Sequence, residues 1–351
     1  MSQMQLMRLF GPNLWGWLAD RFGRRMAIIR LAAVAGLAGF SAFFWVDRLG
    51  GMLVAMAVLA FFWSAALPLV ETLPFDHLRE ARGRYSRIRL WGSVGFIVAV
   101  LGTGAVLDVL PLNGVLWVCW GILVGILLLA AVLPDAPVVA HSRDSLAVGA
   151  ILRQPRVRAL LAACFAMSAA HGALYVFYSI HLADHGYSKA EVGALWSLGV
   201  LAEIAVFMLM ARLTRRYSLR VLLLASFAAA VLRFLLIGWA VESLAIMVVA
   251  QLMHGLTFGA YHAASIAAIN LWFPGRAQGR GQALYSSISF GAGGLLGGLI
   301  SGWTWDGIGP GWTYTLASAF AVGGLALVWR WVRGDVAVDA PGGAKAADPV
   351  P

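Results

Sequence analysis

The stretch Gly16-Trp-Leu-Ala-Asp-Arg-Phe-Gly-Arg-Arg25 separates two apolar runs with a few charged residues. Gly16 and Gly23 permit a tight turn and a close approach of the flanking segments. Asp20 and Arg21 carry opposite charges, and Arg24 and Arg25 open the next apolar run. So short a turn joins two antiparallel helices, and its basic residues place it on the cytoplasmic face of a membrane.

The remaining composition agrees. A mean hydropathy of +0.82, with 61% hydrophobic and only 12% charged residues, excludes a water-soluble chain. Many apolar runs approach or exceed the ~20 residues that span a bilayer. The formal charge of +10 comes from short basic clusters between these runs. That is the pattern of cytoplasmic loops, not of a nucleic-acid groove, so no nucleic-acid partner is expected. Cys119 and Cys164 both lie inside apolar runs and indicate neither a disulfide framework nor a metal site. There is no P-loop, nucleotide fingerprint or nucleophile–base motif, so an ATP-driven pump or an enzyme has no support and no cofactor is implied.

In chain order, residues 1–19 are apolar but interrupted by Arg8 and by Gly11-Pro12, and read as the lower part of a helix whose beginning is absent. Spans are expected at 26–46, 52–73, 87–108 and 114–133, then at 158–181, 191–211, 221–240, 244–270, 283–303 and 313–333. Residues 134–157, with Pro134, Pro137, Pro155 and several Arg, form a cytoplasmic linker between bundles 1–133 and 158–333. The tail 334–351, rich in Ala, Pro, Gly and Asp, is expected to be disordered and cytoplasmic. One set of loops is Arg-rich; the alternate set carries Asp47, Asp108, Asp184, Glu242 and Asp306. The first set is then cytoplasmic.

The chain also repeats itself. Arg212-Leu-Thr-Arg-Arg-Tyr-Ser-Leu-Arg220 is a degraded copy of the opening loop, with Arg215 falling 195 residues after Asp20; Gly279-Arg280 falls 196 residues after Gly83-Arg84. Two loops at nearly one offset argue for parallel six-helix halves. The opening loop resembles the signature G-x-L-A-D-R-x-G-R-R of the major facilitator superfamily, matched at every fixed position. The resemblance implies an all-α polytopic membrane protein of the major facilitator fold, with two six-helix bundles related by a parallel repeat. On that frame the first helix is missing: about ten complete transmembrane helices remain, plus part of the second.

Ionisable groups within a membrane are costly and point to function. Glu71, near the cytoplasmic end of its helix, and Arg89, at the start of the next, can face each other across the hairpin. Glu203 lies mid-span with no polar neighbour in sequence. A carboxylate out of water favours its protonated form unless paired, which suits a proton carrier. Arg233, central in its own helix, is a candidate counter-charge. His254 and His262 share a narrow arc with Gln251, a polar stripe on an otherwise apolar helix and a candidate proton relay. His171, with Tyr175 and Tyr178 one and two turns along, offers a similar face. Small residues at Gly294, Gly298 and Gly302 read as a helix-packing stripe.

The segments Gly83–Phe96, Leu195–Glu203 and Leu252–His262 are similar to the branch of the superfamily containing 3-phenylpropionate permeases, and more distantly to lactose permease-type sugar/proton symporters. This resemblance implies substrate binding by Glu71 and Arg89; His171, Tyr175 and Gln251, read from the polar faces of their own helices, are further substrate-binding candidates. It implies proton coupling by Glu203, Arg233, His254 and His262, and gating by Gly16, Asp20, Arg21, Gly23 and Arg24. The sugar permeases carry a Glu one turn after their coupling His, where this chain has Thr257 and Phe258. The expected protein is a monomeric symporter of the bacterial inner membrane, importing a small organic, aromatic acid with protons. A sugar or nucleoside symporter and a non-transporting remnant are the alternatives.

Overall fold

The computed structural model describes residues 2–22, 25–78, 85–109, 111, 113–134, 148–273 and 277–332. Its helices are α1 (Ser2–Phe22), α2 (Arg25–Ser41), α3 (Leu49–Leu78), α4 (Tyr85–Val109), α5 (Gly114–Val132) and the short α6 (Val148–Leu152). Then come α7 (Pro155–Asp184), α8 (Lys189–Arg216), α9 (Leu219–Trp239), α10 (Leu244–Leu252) and α11 (Tyr261–Trp272). The last are α12 (Gln278–Ser286), α13 (Gly294–Ile308) and α14 (Pro310–Trp331). A π-helical segment, Gly255–Ala260, leads from α10 into α11, and a second, Ser287–Gly293, from α12 into α13. Among the described residues, nine helices are long and apolar enough to cross a membrane.

The helix ends follow local chemistry. Ser188 accepts from the Glu191 backbone N–H while the Glu191 carboxylate accepts from the Ser188 backbone, a reciprocal cap that starts α8 before its apolar run. Ser218 and Ser243 cap α9 and α10, and Pro155 and Pro310 open α7 and α14. Gly186 (φ 85°) and Gly309 (φ 89°) take left-handed conformations in the turns after α7 and α13, where a side chain would be strained.

One expectation needs correction. Helix α1 runs unbroken through Gly11-Pro12. A bilayer helix tolerates such a pair when its neighbours pack closely, and at Gly11 they do: a Cβ there would collide with Ser64 Oγ on α3. Within the expected linker, 148–152 are helical and α7 begins at Pro155. Residues 135–147 and 333–351, the rest of the expected linker and the tail, lie outside the described residues.

Buried apolar side chains form two clusters. One joins α1, α2, α3 and α5 through Trp15, Met26, Ile29, Leu69 and Ala130. The other runs from Val157 to Val332 through α7–α14. In the first, Arg30 donates to the carbonyls of Ala130 and Leu133 (both 2.9 Å), closing the end of α5. The bundles meet where α4 packs on α8 and where α1 packs on the second π segment and α13. Gly104 and Gly193 bring α4 and α8 together: a Cβ on Gly104 would lie 2.7 Å from the Lys189 carbonyl oxygen, and one on Gly193 2.9 Å from that of Val100.

Candidate functional site

The polar groups of the second bundle converge on Arg233, which is fully buried. Its guanidinium faces the α10 end of the neighbouring span. Nε donates to the Ala250 carbonyl (2.8 Å), one terminal nitrogen to Thr257 Oγ1 (3.0 Å) and His254 Nδ1 (3.1 Å), and the other to Gln251 Oε1 (3.3 Å). The first π segment puts Thr257 on the same side as Gln251 and His254. Close approach of α8 is set by Gly199, where a Cβ would sit 2.8 Å from Gln251 Oε1, and by Gly255, where one would sit 2.7 Å from the Ala202 carbonyl.

His254 therefore stands between Arg233 and Glu203. An arginine can only donate, so His254 Nδ1 accepts and the neutral ring holds its proton on Nε2. That nitrogen stands 3.9 Å from Glu203 Oε2, within ion-pair range and longer than a hydrogen bond. The order is carboxylate, imidazole, guanidinium. Arg233, the candidate counter-charge of Glu203, is linked to it through His254 in this three-member chain.

His262 shares the helix but not the chain. Its Nδ1 pairs with Tyr285 OH (2.8 Å), and Phe258 lies between the two imidazoles, stacked on His254 (5.4 Å) and on His262 (5.8 Å). The stripe thus holds two polar stations with the Phe258 ring between them. His171 Nδ1 donates to the Met167 carbonyl (2.9 Å), which leaves Nε2 as a buried acceptor with no partner among the described residues. Its ring centroid is 6.1 Å from that of His254 and 5.8 Å from that of Tyr175, and Tyr175 stacks beside Trp196. A small void opens here, lined by His171, Tyr175, Phe258, Tyr261, Ser289 and Phe290.

Glu71 and Arg89 fall on α3 and α4, and their side chains lie outside what the structure describes. Gly23 and Arg24 are outside the described residues, as are the surroundings of Gly16 and Asp20. Arg21 is exposed, with its guanidinium 5.5 Å from the Trp17 ring. The glycine stripe shifts by one position. Gly302 faces open space and Gly294 meets Gln5 of α1, whereas Gly293 and Gly297 press on α7 at the Phe165 and Ala169 carbonyls. The π turn ahead of α13 decides which of the two interleaved stripes faces α7.

Sequence reasoning passed over one further contact. The Asp108 carboxylate, at the end of α4, accepts from the backbone N–H groups of Lys189 (2.9 Å) and Ala190 (3.1 Å), and Lys189 Nζ donates to the Leu107 carbonyl. An anion at a helix N-terminus is favourable, and this one belongs to the other bundle. It ties α4 to α8 at the end carrying the acidic loops. A signal existed: Lys189 is a cation in the first turn of a helix, unfavourable there without an acid nearby.

Helices that span a bilayer, two packed bundles and a mid-span chain of ionisable side chains between helices define a membrane transporter. Residues 1–316 match the MFS_1 like family, and the chain belongs to that family. A probable 3-phenylpropionic acid transporter of Escherichia coli is 29% identical over 300 residues, 84% of this chain and 78% of the relative. A maltose permease of Geobacillus stearothermophilus is 27% identical, over 86% of this chain and 77% of the permease. Among solved structures, the nucleoside transporter NupG superposes with a TM-score of 0.78 at 17% identity, covering 94% of this chain and 88% of that one. The superposition shows the major facilitator fold.

Proposed function

We propose that this transporter is a monomeric proton symporter of a bacterial inner membrane, importing a small organic acid of aromatic character by alternating access. The Arg-rich loops and the C-terminus face the cytoplasm on this reading. The observation that carries it is the chain from the half-buried Glu203 through His254 to the buried Arg233. Protonation of Nδ1 would set an N–H against the Arg233 donor, so the exchangeable proton belongs on Glu203, with His254 as its neutral neighbour. The rings of His171, Tyr175, Phe258 and Phe290 supply an aromatic wall, and the probable phenylpropionic acid transporter among the relatives favours an aromatic acid.

The test is Glu203→Gln, which mimics the permanently protonated carrier. Counterflow exchange of 3-phenylpropionate should persist while accumulation driven by a proton gradient is lost. Accumulation at the wild-type level would overturn the reading.

One observation favours the second reading, a sugar or nucleoside symporter. Arg233 spends four hydrogen bonds on its own bundle and is not an open fork for a carboxylate. A neutral, hydroxyl-rich substrate suits that environment. Counterflow with 3-phenylpropionate, maltose and uridine in parallel separates the two.

A further inference from the structure

A groove runs along the outer, lipid-facing side of α9 and α14, away from the polar chain. Its walls are two matching stripes, Val221, Leu224, Ala225 and Ala228 on α9, and Val322, Leu325, Ala326 and Trp329 on α14, and its lining is almost wholly apolar. Each stripe follows the i, i+3, i+4, i+7 pattern of one helix face. The helices are antiparallel, so the stripes start and end together. Alanines at 225, 228 and 326 make the floor low, while Val221, Val322 and Trp329 stand exposed at the edges. On the inner side the same pair is tightly filled: a Cβ on Gly324 would collide with the Phe227 ring. The groove is thus not loose packing. Seven residues of rise give it a length of about 10 Å, a third of the ~30 Å hydrocarbon core, so it begins at one membrane surface and stays within one leaflet.

One end is cationic. Arg220 sits immediately before Val221, with one terminal nitrogen donating to the Trp329 carbonyl (3.0 Å) at the groove's end. Its Nε is withdrawn from solvent and has no acceptor among the described residues. Arg330, in the last turn of α14, lies at the same end, and Arg216 ends the neighbouring α8. Arg220 is only part-buried, so its outer guanidinium donors can meet an anionic oxygen at the groove's end in a charge-assisted bond. Basic pockets between transmembrane helices, on the side where anionic lipids concentrate, bind such headgroups.

We infer that this groove is a binding site for an anionic glycerophospholipid, its phosphate on Arg220 and the upper part of one acyl chain along the two stripes. Charge complementarity selects the occupant: a zwitterionic lipid offers the same chain but carries a choline that offsets its phosphate, and a second copy of this chain would have to present an acid within an apolar ridge. The inference does not depend on the substrate or on proton coupling, so it survives the failure of either.

The experiment uses the purified 351-residue protein in mild detergent, titrated with dioleoylphosphatidylglycerol or dioleoylphosphatidylcholine and read by native mass spectrometry. Phosphatidylglycerol should be retained about fivefold more strongly than phosphatidylcholine. Arg220→Gln should remove that preference, Ala225→Phe should remove it by filling the floor with the charge intact, and Arg216→Gln should leave it unchanged. Equal retention of the two lipids overturns the inference, as does an Ala225→Phe protein that keeps the preference. An equal loss in Arg216→Gln and Arg220→Gln overturns it too, because diffuse surface charge then suffices. Should Arg220→Gln fail to fold for want of its Trp329 bond, Ala225→Phe decides, since it alters only the outer face.

Discussion

Arg233 donates to Nδ1 of His254 at 3.1 Å, and that bond aims the ring's other nitrogen at Glu203, 3.9 Å away. The two sides of the imidazole can be deleted separately. Asparagine places an acceptor near the Nδ1 position and nothing at Nε2; glutamine reaches toward Nε2 and leaves Arg233 short of an acceptor. His254→Asn should therefore fold with a near wild-type thermal midpoint and lose proton-driven accumulation. His254→Gln should be less stable by about 1–3 kcal/mol, the cost of an unmet buried donor. Thermal unfolding in detergent together with vesicle uptake checks both; accumulation at the wild-type level in His254→Asn would remove the imidazole from the coupling path.

His262 makes a contrasting case. It is bonded to Tyr285 and separated from His254 by the Phe258 ring. Tyr285→Phe and His262→Asn should leave the ratio of counterflow to accumulation unchanged, although absolute rates fall. A selective loss of accumulation in either would join the two stations into one relay.

Glycine packing gives a stability test inside one helix. A Cβ on Gly297 would collide with the Ala169 carbonyl, whereas one on Gly302 meets nothing within 4 Å. Backbone on both sides cannot move aside cheaply. Gly297→Ala should lower stability by about 1–3 kcal/mol, and Gly302→Ala should be neutral within about 0.5 kcal/mol. Equal thermal midpoints would mean that α7 and α13 pack less closely than described.

What could be read from the residues differs between fold and site. Apolar run lengths and the alternation of Arg-rich with acidic loops mark every long span from α2 onward, because the bilayer forces periodicity and charge into separate stretches. The mid-span identities Glu203, Arg233 and His254 stand out for the same reason: few ionisable residues lie there. Their order does not. Whether Arg233 meets Glu203 directly or through His254 depends on the rotation of α8 against the π segment, and a π turn shifts a helix face without leaving a mark in the hydrophobic pattern. The glycine stripe is displaced by one residue for that reason. Asp108 is legible only as a loop acid, since its partner lies 81 positions away on the other bundle.

That long-range contact leads to the last prediction. Asp108 accepts two backbone N–H groups at the start of α8, so α4 and α8 are held together by an anion of one bundle on the helix terminus of the other. Alternating access requires this contact to break in the state open to the acid-loop face. Asp108→Asn keeps one acceptor oxygen and removes the charge. An exposed contact of this kind is worth about 1 kcal/mol, so the open population should rise about fivefold. A cysteine at Tyr175, in a chain with Cys119 and Cys164 replaced by serine, reports access to the inner cavity. A membrane-impermeant maleimide, applied from the acid-loop side of proteoliposomes of known orientation, should label it about fivefold faster in the Asp108→Asn background. Asp108 as a mere cap predicts something else: a lower thermal midpoint with an unchanged labelling rate. Unchanged labelling at full stability would show that the glycine contacts at Gly104 and Gly193, not the carboxylate, keep this face shut.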